Sequence, residues 1–212
     1  LKDVYGGILT ILMKEPNNVK GAIEFLNTCL NNLIDGKVSM DKLALTKSLR
    51  SDYKNPNQIA HKVLANRIGE REPGNKPKPG DRIKYAFIEN NNAKVKLLGE
   101  RIETPQFIND NNLKLDYHYY ITNQLMNPLQ QLFSLAIEQI YEYKNKSIKD
   151  QNDLNKYLTN LEFECNNDLE LFMKKREKYC STEVKSLLFD PFLRNIYNKQ
   201  NGIRTLFDFY KK

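Results

Sequence analysis

Apolar residues recur at helical spacing through the first 35 positions of the chain. The first set is Val4, Ile8, Leu9, Ile11 and Leu12. A second, longer stripe consists of Val19, Ala22, Ile23, Leu26, Cys29, Leu30 and Leu33. It ends at Asp35-Gly36, a natural stop because glycine readily adopts the left-handed conformation that closes helices. The pattern predicts two amphipathic helices that each bury one face.

Asn55-Pro56 indicates the start of a third helix, since asparagine caps helices and proline fits the first turn. We expect this helix to run to about Arg71 and to bury Ile59, Ala60, Val63, Leu64 and Ile68. Residues 73–80 hold too many prolines and glycines for a regular element, so they predict a rigid basic loop. The pattern leaves the type of the segment 43–49 open.

Strict alternation replaces the helical period after this loop. Ile83, Tyr85 and Phe87 lie on one side of a predicted strand over 81–88, and Arg82, Lys84 and Ala86 lie on the other. Alternation resumes at Val95 and Leu97 beyond an asparagine-rich turn. We therefore expect a β-hairpin.

Helical patterns return in the second half of the chain. Thr104-Pro105 and Asn127-Pro128 indicate two helix starts, and the chain becomes strongly polar from 143 to about 156 before apolar stripes resume. The expected fold is mainly α-helical with a small β-hairpin. We divide it into a core over 1–142, a helical C-terminal extension over 143–200 and a tail over 201–212.

The positive charge of the chain is concentrated in one segment. The whole chain carries 33 − 26 = +7, and the segment from Thr46 to Lys84 alone carries 10 − 4 = +6. Its basic residues are Lys47, Arg50, Lys54, Lys62, Arg67, Arg71, Lys76, Lys78, Arg82 and Lys84. Such clustering is typical of a surface that contacts a phosphate backbone, although lysine and arginine on a helix and loop can also be simply solvated.

Arg67 stands apart because a helical projection places it on the apolar face of the third helix. A charge in that position needs a partner. Either Arg67 forms a structural ion pair, with Asp81 or Glu72, or it is held outward toward a phosphate. The sequence leaves both interpretations open.

Motifs that carry chemistry are absent from these 212 residues. The sequence contains no D-x-D pair of the kind used in two-metal transfer, and no phosphate-binding glycine loop or nucleophile elbow. His61 and His118 have no cysteine or histidine at metal-ligand spacing. The three cysteines have neither the even number of a disulfide framework nor the spacing of a zinc site, which is typical of a protein from a reducing compartment. No apolar run approaches the roughly 18 to 20 residues of a membrane span. We predict neither catalysis nor metal binding by this chain alone.

Three groups of short motifs follow one another in a distinctive order and spacing. The first group is TKSL (46–49), DYK (52–54) and IAHKVLA (59–65) with Arg67. The second is REPG (71–74), Pro77 and GDRI (80–83) with Tyr85. The third is DYHYYI (116–121), QL (124–125) and NPL (127–129), closing at Phe133. Over about residues 1–133 this order resembles the C-terminal thumb of family B DNA polymerases, especially those of large eukaryotic DNA viruses and polymerase delta.

The resemblance implies a thumb that grips the primer-template duplex through phosphate and minor-groove contacts during replication. It also implies that the palm, fingers and exonuclease belong to a longer parent protein, because the chain starts within a helix and without Met. The palm would hold the catalytic aspartates and Mg²⁺, so the fragment should be inactive alone. The implied DNA contacts are Lys47, Ser48, Arg50, Tyr53, His61, Lys62, Arg67, Arg71, Lys76, Lys78, Arg82 and Lys84. Tyr119, Tyr120, Gln124 and Phe133 are assigned to packing.

The tail resembles a peptide that binds a sliding clamp. Leu206, Phe209 and Tyr210 have the L-x-x-F-Y spacing of that motif, whereas Ile203 stands where the motif has glutamine. The alternative is an amphipathic terminus that packs on its own domain.

Two other functions remain open on the sequence. The chain could be a stand-alone basic nucleic-acid-binding module, or a helical adaptor whose basic face binds an acidic protein. A preference for duplex DNA and a strong salt dependence would separate DNA binding from the adaptor.

Overall fold

A computed structural model describes residues 2–14, 18–90, 97–166 and 168–203. Backbone packing divides the chain into two compact units. The helical unit comprises residues 1–35 and 120–212, and the sheet unit comprises Gly36–Tyr119. The prediction for Val95, and those for Leu206, Phe209 and Tyr210, lie outside the described residues.

The described elements confirm a mainly helical chain with a small sheet. The helices are α1 (Lys2–Lys14), α2 (Val19–Ile34), α3 (Met40–Leu43), α4 (Ala60–Arg71), α5 (Pro105–Asp110), α6 (Tyr117–Tyr119), α7 (Asn127–Ser134), α8 (Ile137–Tyr143), α9 (Ile148–Glu164), α10 (Leu169–Val184) and α11 (Asp190–Gln200). The strands are β1 (Leu45–Ser48), β2 (Arg82–Phe87) and β3 (Ile102–Glu103). Short 3-10 turns occupy Pro56–Gln58, Pro73–Asn75 and Leu98–Arg101, and π-helical turns occupy Tyr120–Met126 and Lys185–Phe189.

The core of the helical unit is built on α2. Its predicted stripe is buried except at Cys29, which is half-buried. The Asn18 side chain caps the helix by accepting the Gly21 N–H at 2.8 Å, which satisfies one of the donors that a helix start leaves unpaired. In α1 only Ile8 of the predicted stripe is fully buried.

The polar stretch from 143 to 156 contains a helix start. The Ser147 hydroxyl accepts the Asp150 N–H at 3.1 Å, and the Asp150 carboxylate accepts the Ser147 N–H at 3.2 Å. This reciprocal capping box favours a new helix directly after α8 ends. The helix that follows, α9, buries Leu154 and Leu161 and packs against α10, where Tyr157 stacks on Tyr179.

The sheet unit holds three antiparallel strands in the order β1-β2-β3. In β1 and β2, Leu45 lies opposite Tyr85 and Ser48 lies opposite Arg82. The shorter β3 pairs its Glu103 with Ala86. Strand β2 therefore forms the centre of the sheet, which explains why four of its six residues are buried.

The predicted hairpin is wrong in its partner strand. Strand β2 forms as expected, but Leu97 precedes a 3-10 turn, and β2 pairs instead with β1 and β3. The segment 43–49, which the pattern left open, supplies β1. Pairing across nearly forty residues depends on tertiary packing, because local alternation indicates a strand but not its neighbour.

Two predicted helix starts also differ in detail. Pro56 opens a 3-10 turn, and α4 begins only at Ala60, because Ile59 adopts an extended backbone conformation. Helix α7 begins at Asn127 directly after the π-helical turn Tyr120–Met126, without a break in the helical backbone. The wider turn accommodates Pro128, which has no N–H for a helical hydrogen bond. In contrast, Thr104 caps α5 as predicted, by accepting the Phe107 N–H.

In the described part of the chain, no helix combines the length and the apolar character needed to cross a membrane.

We expect Gly99→Ala to destabilise the sheet unit, because Gly99 lies against α4. A β-carbon at this position would stand 2.6 Å from Cβ of Val63, and neither atom can move without shifting backbone. Overpacking of this kind costs about 1–3 kcal/mol. Urea unfolding measures the loss.

Gly74→Ala is the matched control, because a β-carbon on Gly74 would meet nothing within 4 Å. Equal stability of the two variants would contradict the close approach of α4 to Gly99.

Candidate nucleic-acid interface

All ten basic residues of the charged segment lie in the sheet unit. They are distributed over β1, α4, β2 and the two loops at 49–55 and 72–81. Eight are exposed, and Lys62 and Arg67 are partly buried. The fold therefore keeps together a set of charges that spans 38 positions of sequence.

The β1–β2 ladder places polar and basic side chains side by side on one face. Lys84 lies opposite Thr46, and Arg82 lies opposite Ser48. Directly opposed residues of an antiparallel pair share a face and lie about 4.5–5.5 Å apart at their β-carbons. Lys84 also binds Asp41, with Nζ 2.5 Å from Oδ1, and this ammonium lowers the pKa of the Asp41 carboxyl.

The Pro-Gly loop forms an open groove against β2, with a volume of about 630 Å³. We call this the loop groove. Its basic residues are Lys76, Lys78, Arg82 and Lys84. The acidic residue in the groove, Asp81, accepts the backbone N–H of Lys78 at 2.7 Å. Four basic residues and one acidic residue thus line the groove, so its net charge is positive.

Gly80 holds this loop against the end of β1. Its N–H donates to the Leu49 carbonyl at 2.9 Å, and the Leu49 N–H donates to the Asp81 carbonyl at 2.9 Å. The φ angle of Gly80 is +97°, a conformation that residues with a β-carbon rarely adopt. Glycine is thus needed here for the tight turn.

Arg67 and Arg71 are engaged inside the protein by Glu103. The Arg67 Nε lies 2.8 Å from Oε1 of Glu103, and Arg71 contacts both carboxylate oxygens, at 2.6 and 3.2 Å. Arg67 also donates to the carbonyls of Gly99 and Ile102, at 3.0 and 2.5 Å. The structural ion pair is therefore real, but the predicted partners Asp81 and Glu72 are wrong.

Glu103 was missed by the sequence reasoning. Its side chain is only 4% exposed, whereas those of Arg67 and Arg71 are 21% and 34% exposed. The Arg71 guanidinium also lies over the Phe107 ring, 3.7 Å from its centre. The sequence signal for Glu103 is its position between the apolar Ile102 and the helix start at Thr104. A carboxylate that is buried in such a place needs a cation as its partner.

Tyr53 organises the loop that follows β1. Its hydroxyl accepts the Arg50 N–H at 2.8 Å and lies 3.0 Å from Nε2 of His61 on α4. Burial and the charges of Lys47 and Arg50 lower the pKa of His61, so its imidazole is mostly neutral at pH 7. We call these four residues, Lys47, Arg50, Tyr53 and His61, the tyrosine-histidine cluster.

Seven of the ten basic residues form no ion pair within the described part of the chain. Arg67, Arg71 and Lys84 are the paired ones. The seven others are Lys47, Arg50, Lys54, Lys62, Lys76, Lys78 and Arg82. Their charges are available to an anionic ligand.

The third group of motifs contributes packing. Asp116 is buried and binds Arg101, and its other oxygen accepts the Tyr119 N–H at 2.8 Å. Tyr119 stacks on Phe87 with ring centres 3.9 Å apart. In the helical unit, Tyr120 and Phe133 are fully buried.

Two other predictions concern the tail and metals. Ile203 is exposed, and the other three residues of the possible clamp peptide lie outside the described residues. Within the described ranges, no group of three or more histidine, cysteine or acidic side chains is placed to hold a metal ion.

The sequence matches the family model for DNA polymerase family B over residues 1–136. The DNA polymerase of Pyramimonas orientalis virus is 40% identical over 211 residues, which are 99% of this chain and 17% of that protein. The DNA polymerase of Acanthamoeba polyphaga mimivirus is 40% identical over 162 residues, or 74% of this chain and 9% of that protein. The DNA polymerase delta catalytic subunit of Schizosaccharomyces pombe is 35% identical over 117 residues, or 55% of this chain and 10% of that protein. The chain thus spans less than a fifth of each of these relatives.

We expect Glu103→Gln to destabilise the sheet unit by about 3–5 kcal/mol, because removing one partner of a buried ion pair leaves the other charge uncompensated. Here two guanidinium groups lose their shared carboxylate. The free energy of unfolding in urea is the measurement.

Glu100→Gln provides the control, because Glu100 is 49% exposed and lies 3.7 Å from Arg67. Exposed pairs contribute at most about 1 kcal/mol. If Glu100→Gln costs as much as Glu103→Gln, the central role of Glu103 is wrong.

Proposed function

Because this chain belongs to DNA polymerase family B, we propose that it is the thumb segment of a replicative DNA-directed DNA polymerase. In this proposal the sheet unit grips the primer-template duplex. The observation that carries it is the set of seven basic side chains in the sheet unit that form no ion pair among the described residues.

The chemistry of these side chains suits a duplex of any sequence. Lysine and arginine neutralise phosphates without reading bases, as a polymerase that copies every template requires. Each neutralised phosphate releases condensed counterions, which supplies affinity that depends on salt and not on sequence. The loop groove and the tyrosine-histidine cluster are the two places where such contacts are concentrated.

Arg67 and Arg71 have a different role in this proposal. Glu103 occupies the Nε of Arg67 and both terminal nitrogens of Arg71. We therefore assign the two arginines to holding α4 against β3. The implied contacts of Ser48 and Lys84 fit the exposed face of the β1–β2 ladder, where both are accessible.

Catalysis belongs to other parts of the polymerase in this proposal. Nucleotidyl transfer through two metals needs closely spaced carboxylates, and we place these and Mg²⁺ in the palm, outside residues 1–212. The partners of the thumb are then the palm, fingers and exonuclease, and the chain alone has no polymerase activity. The viral match covers 211 residues, so the helical extension is part of what the two proteins share.

A sliding clamp is a second proposed partner, bound by residues 203–210. The support is the spacing of Leu206, Phe209 and Tyr210 and the exposure of Ile203. Lys211 and Lys212 would face an acidic clamp surface.

We expect the triple variant Lys62→Glu, Lys76→Glu and Lys78→Glu to bind a primer-template duplex at least tenfold more weakly than the wild type, for all sequences alike. The slope of log K against log salt should flatten by up to about 0.9 for each lost phosphate contact. Fluorescence anisotropy at several salt concentrations measures both quantities.

The control variant carries the same charge change on α10, at the exposed residues Lys174, Lys175 and Lys178. It should keep the wild-type salt slope. Equal loss in both variants would show that only net charge matters, and tighter binding of an acidic polypeptide than of duplex would favour the protein adaptor.

A further inference from the structure

The Tyr53 hydroxyl lies between two nitrogen groups, the Arg50 N–H and the His61 ring. Its oxygen already accepts the Arg50 N–H at 2.8 Å, which uses one of its two lone pairs. Its second contact is Nε2 of His61, at 3.0 Å. The tyrosine is itself held in place, because its backbone N–H donates to Asp52 at 2.8 Å and its ring packs edge-to-face on the His61 ring.

The direction of this hydrogen bond depends on where His61 carries its protons. When His61 is neutral with its proton on Nδ1, Nε2 accepts the tyrosine O–H; when it is neutral with its proton on Nε2, it donates to the tyrosine oxygen. When His61 is charged, both ring nitrogens donate, so Nε2–H must point at the tyrosine oxygen. The second lone pair is then occupied, and the tyrosine proton has to turn toward another acceptor.

The surrounding charges favour the neutral arrangement in the absence of a ligand. Lys47 on β1 and Arg50 in the loop both act on His61, and burial adds to their effect. Lys62 follows it directly on α4. The nearby carboxylates form other contacts: Asp52 accepts the backbone N–H of Tyr53 at 2.8 Å, and Glu100 lies 3.7 Å from Arg67. An anion beside Lys47 and Arg50 would reverse this balance.

We propose that the tyrosine-histidine cluster is a subsite for one phosphate group of bound nucleic acid, and that occupying it takes up one proton at His61. The inference rests on the proposed function and names the contact that links duplex binding to pH. The phosphate offsets the repulsion from Lys47 and Arg50, and His61 takes a proton from the solvent. The Tyr53 hydroxyl then accepts from Arg50 and His61 and donates its own hydrogen to the phosphate.

The sign of the pH effect follows from linkage. The pKa of His61 is higher in the complex than in the free protein, so affinity is greatest below the free pKa and falls as pH rises through the pKa of the complex. One linked proton changes affinity by at most about tenfold per pH unit. Binding should therefore weaken severalfold between pH 6 and pH 8.

The test uses NMR of the histidine rings in the whole 212-residue chain, titrated from pH 5.5 to 8.5 with and without a short duplex. The chain has two histidines, and the exposed His118 serves as an internal reference. We expect the duplex to raise the pKa of His61 by about one unit or more and to leave that of His118 within a few tenths. Calorimetry in buffers of different ionisation enthalpy should report uptake of up to one proton.

Variants then connect this proton to affinity. His61→Gln cannot take up a proton, so its duplex affinity should lose the severalfold change between pH 6 and pH 8. His118→Gln should keep that change in full. Inorganic phosphate, added alone, shows whether the subsite takes an isolated phosphate or only one within a nucleic-acid backbone, and a raised pKa of His61 with either ligand supports the subsite.

The outcomes separate this inference from the proposed function. Duplex binding that depends on salt but leaves the pKa of His61 unchanged would overturn the subsite and keep the thumb. An equal rise of the pKa at both histidines would also overturn the subsite, since the electrostatic field of the duplex would then act on the whole protein. Absence of duplex binding at every pH would overturn both proposals.

Discussion

The arrangement of the sheet unit depends on the ion pairs that the buried carboxylate of Glu103 forms with Arg67 and Arg71. This carboxylate lies on the short edge strand β3 and receives Arg67 and Arg71 from successive turns of α4. A buried carboxylate is costly without cations, and two guanidinium groups on one helix face are costly without a carboxylate. Each therefore requires the other, and α4 can pack only in the position that brings them together.

The ion pairs with Glu103 also divide the basic residues of the sheet unit into two groups. Two arginines hold α4 against β3. Gly99, whose carbonyl accepts from Arg67, lies so close to Val63 that a β-carbon does not fit. Lys47 on β1, Arg82 on β2, and Lys76 and Lys78 in the Pro-Gly loop stay available, because they form no ion pair among the described residues. A stable sheet unit and a positive surface thus come from the same short stretch of sequence without competing for the same side chains.

Loop geometry sets where the available charges lie. The Gly80 turn fixes the Pro-Gly loop to the end of β1, and the Tyr53 hydroxyl fixes the loop at 49–55 to α4. Neither loop has a regular hydrogen-bond ladder, so single contacts decide its path. The proposed grip on a duplex therefore depends on a few polar contacts in addition to net charge.

Local patterns in the sequence determined the approximate positions of the longer helices, the strand β2, the Thr104 cap, the charged segment and the family resemblance, because periodicity and motif spacing are properties of neighbouring residues. They could not determine that β1 pairs with β2, that Glu103 is the partner of Arg67, or that Tyr53 joins Arg50 to His61. The first two contacts join residues that are more than thirty positions apart, and the third depends on how a loop without regular structure folds back on α4. Burial decides such contacts, since a charge needs a partner only once packing has removed it from water.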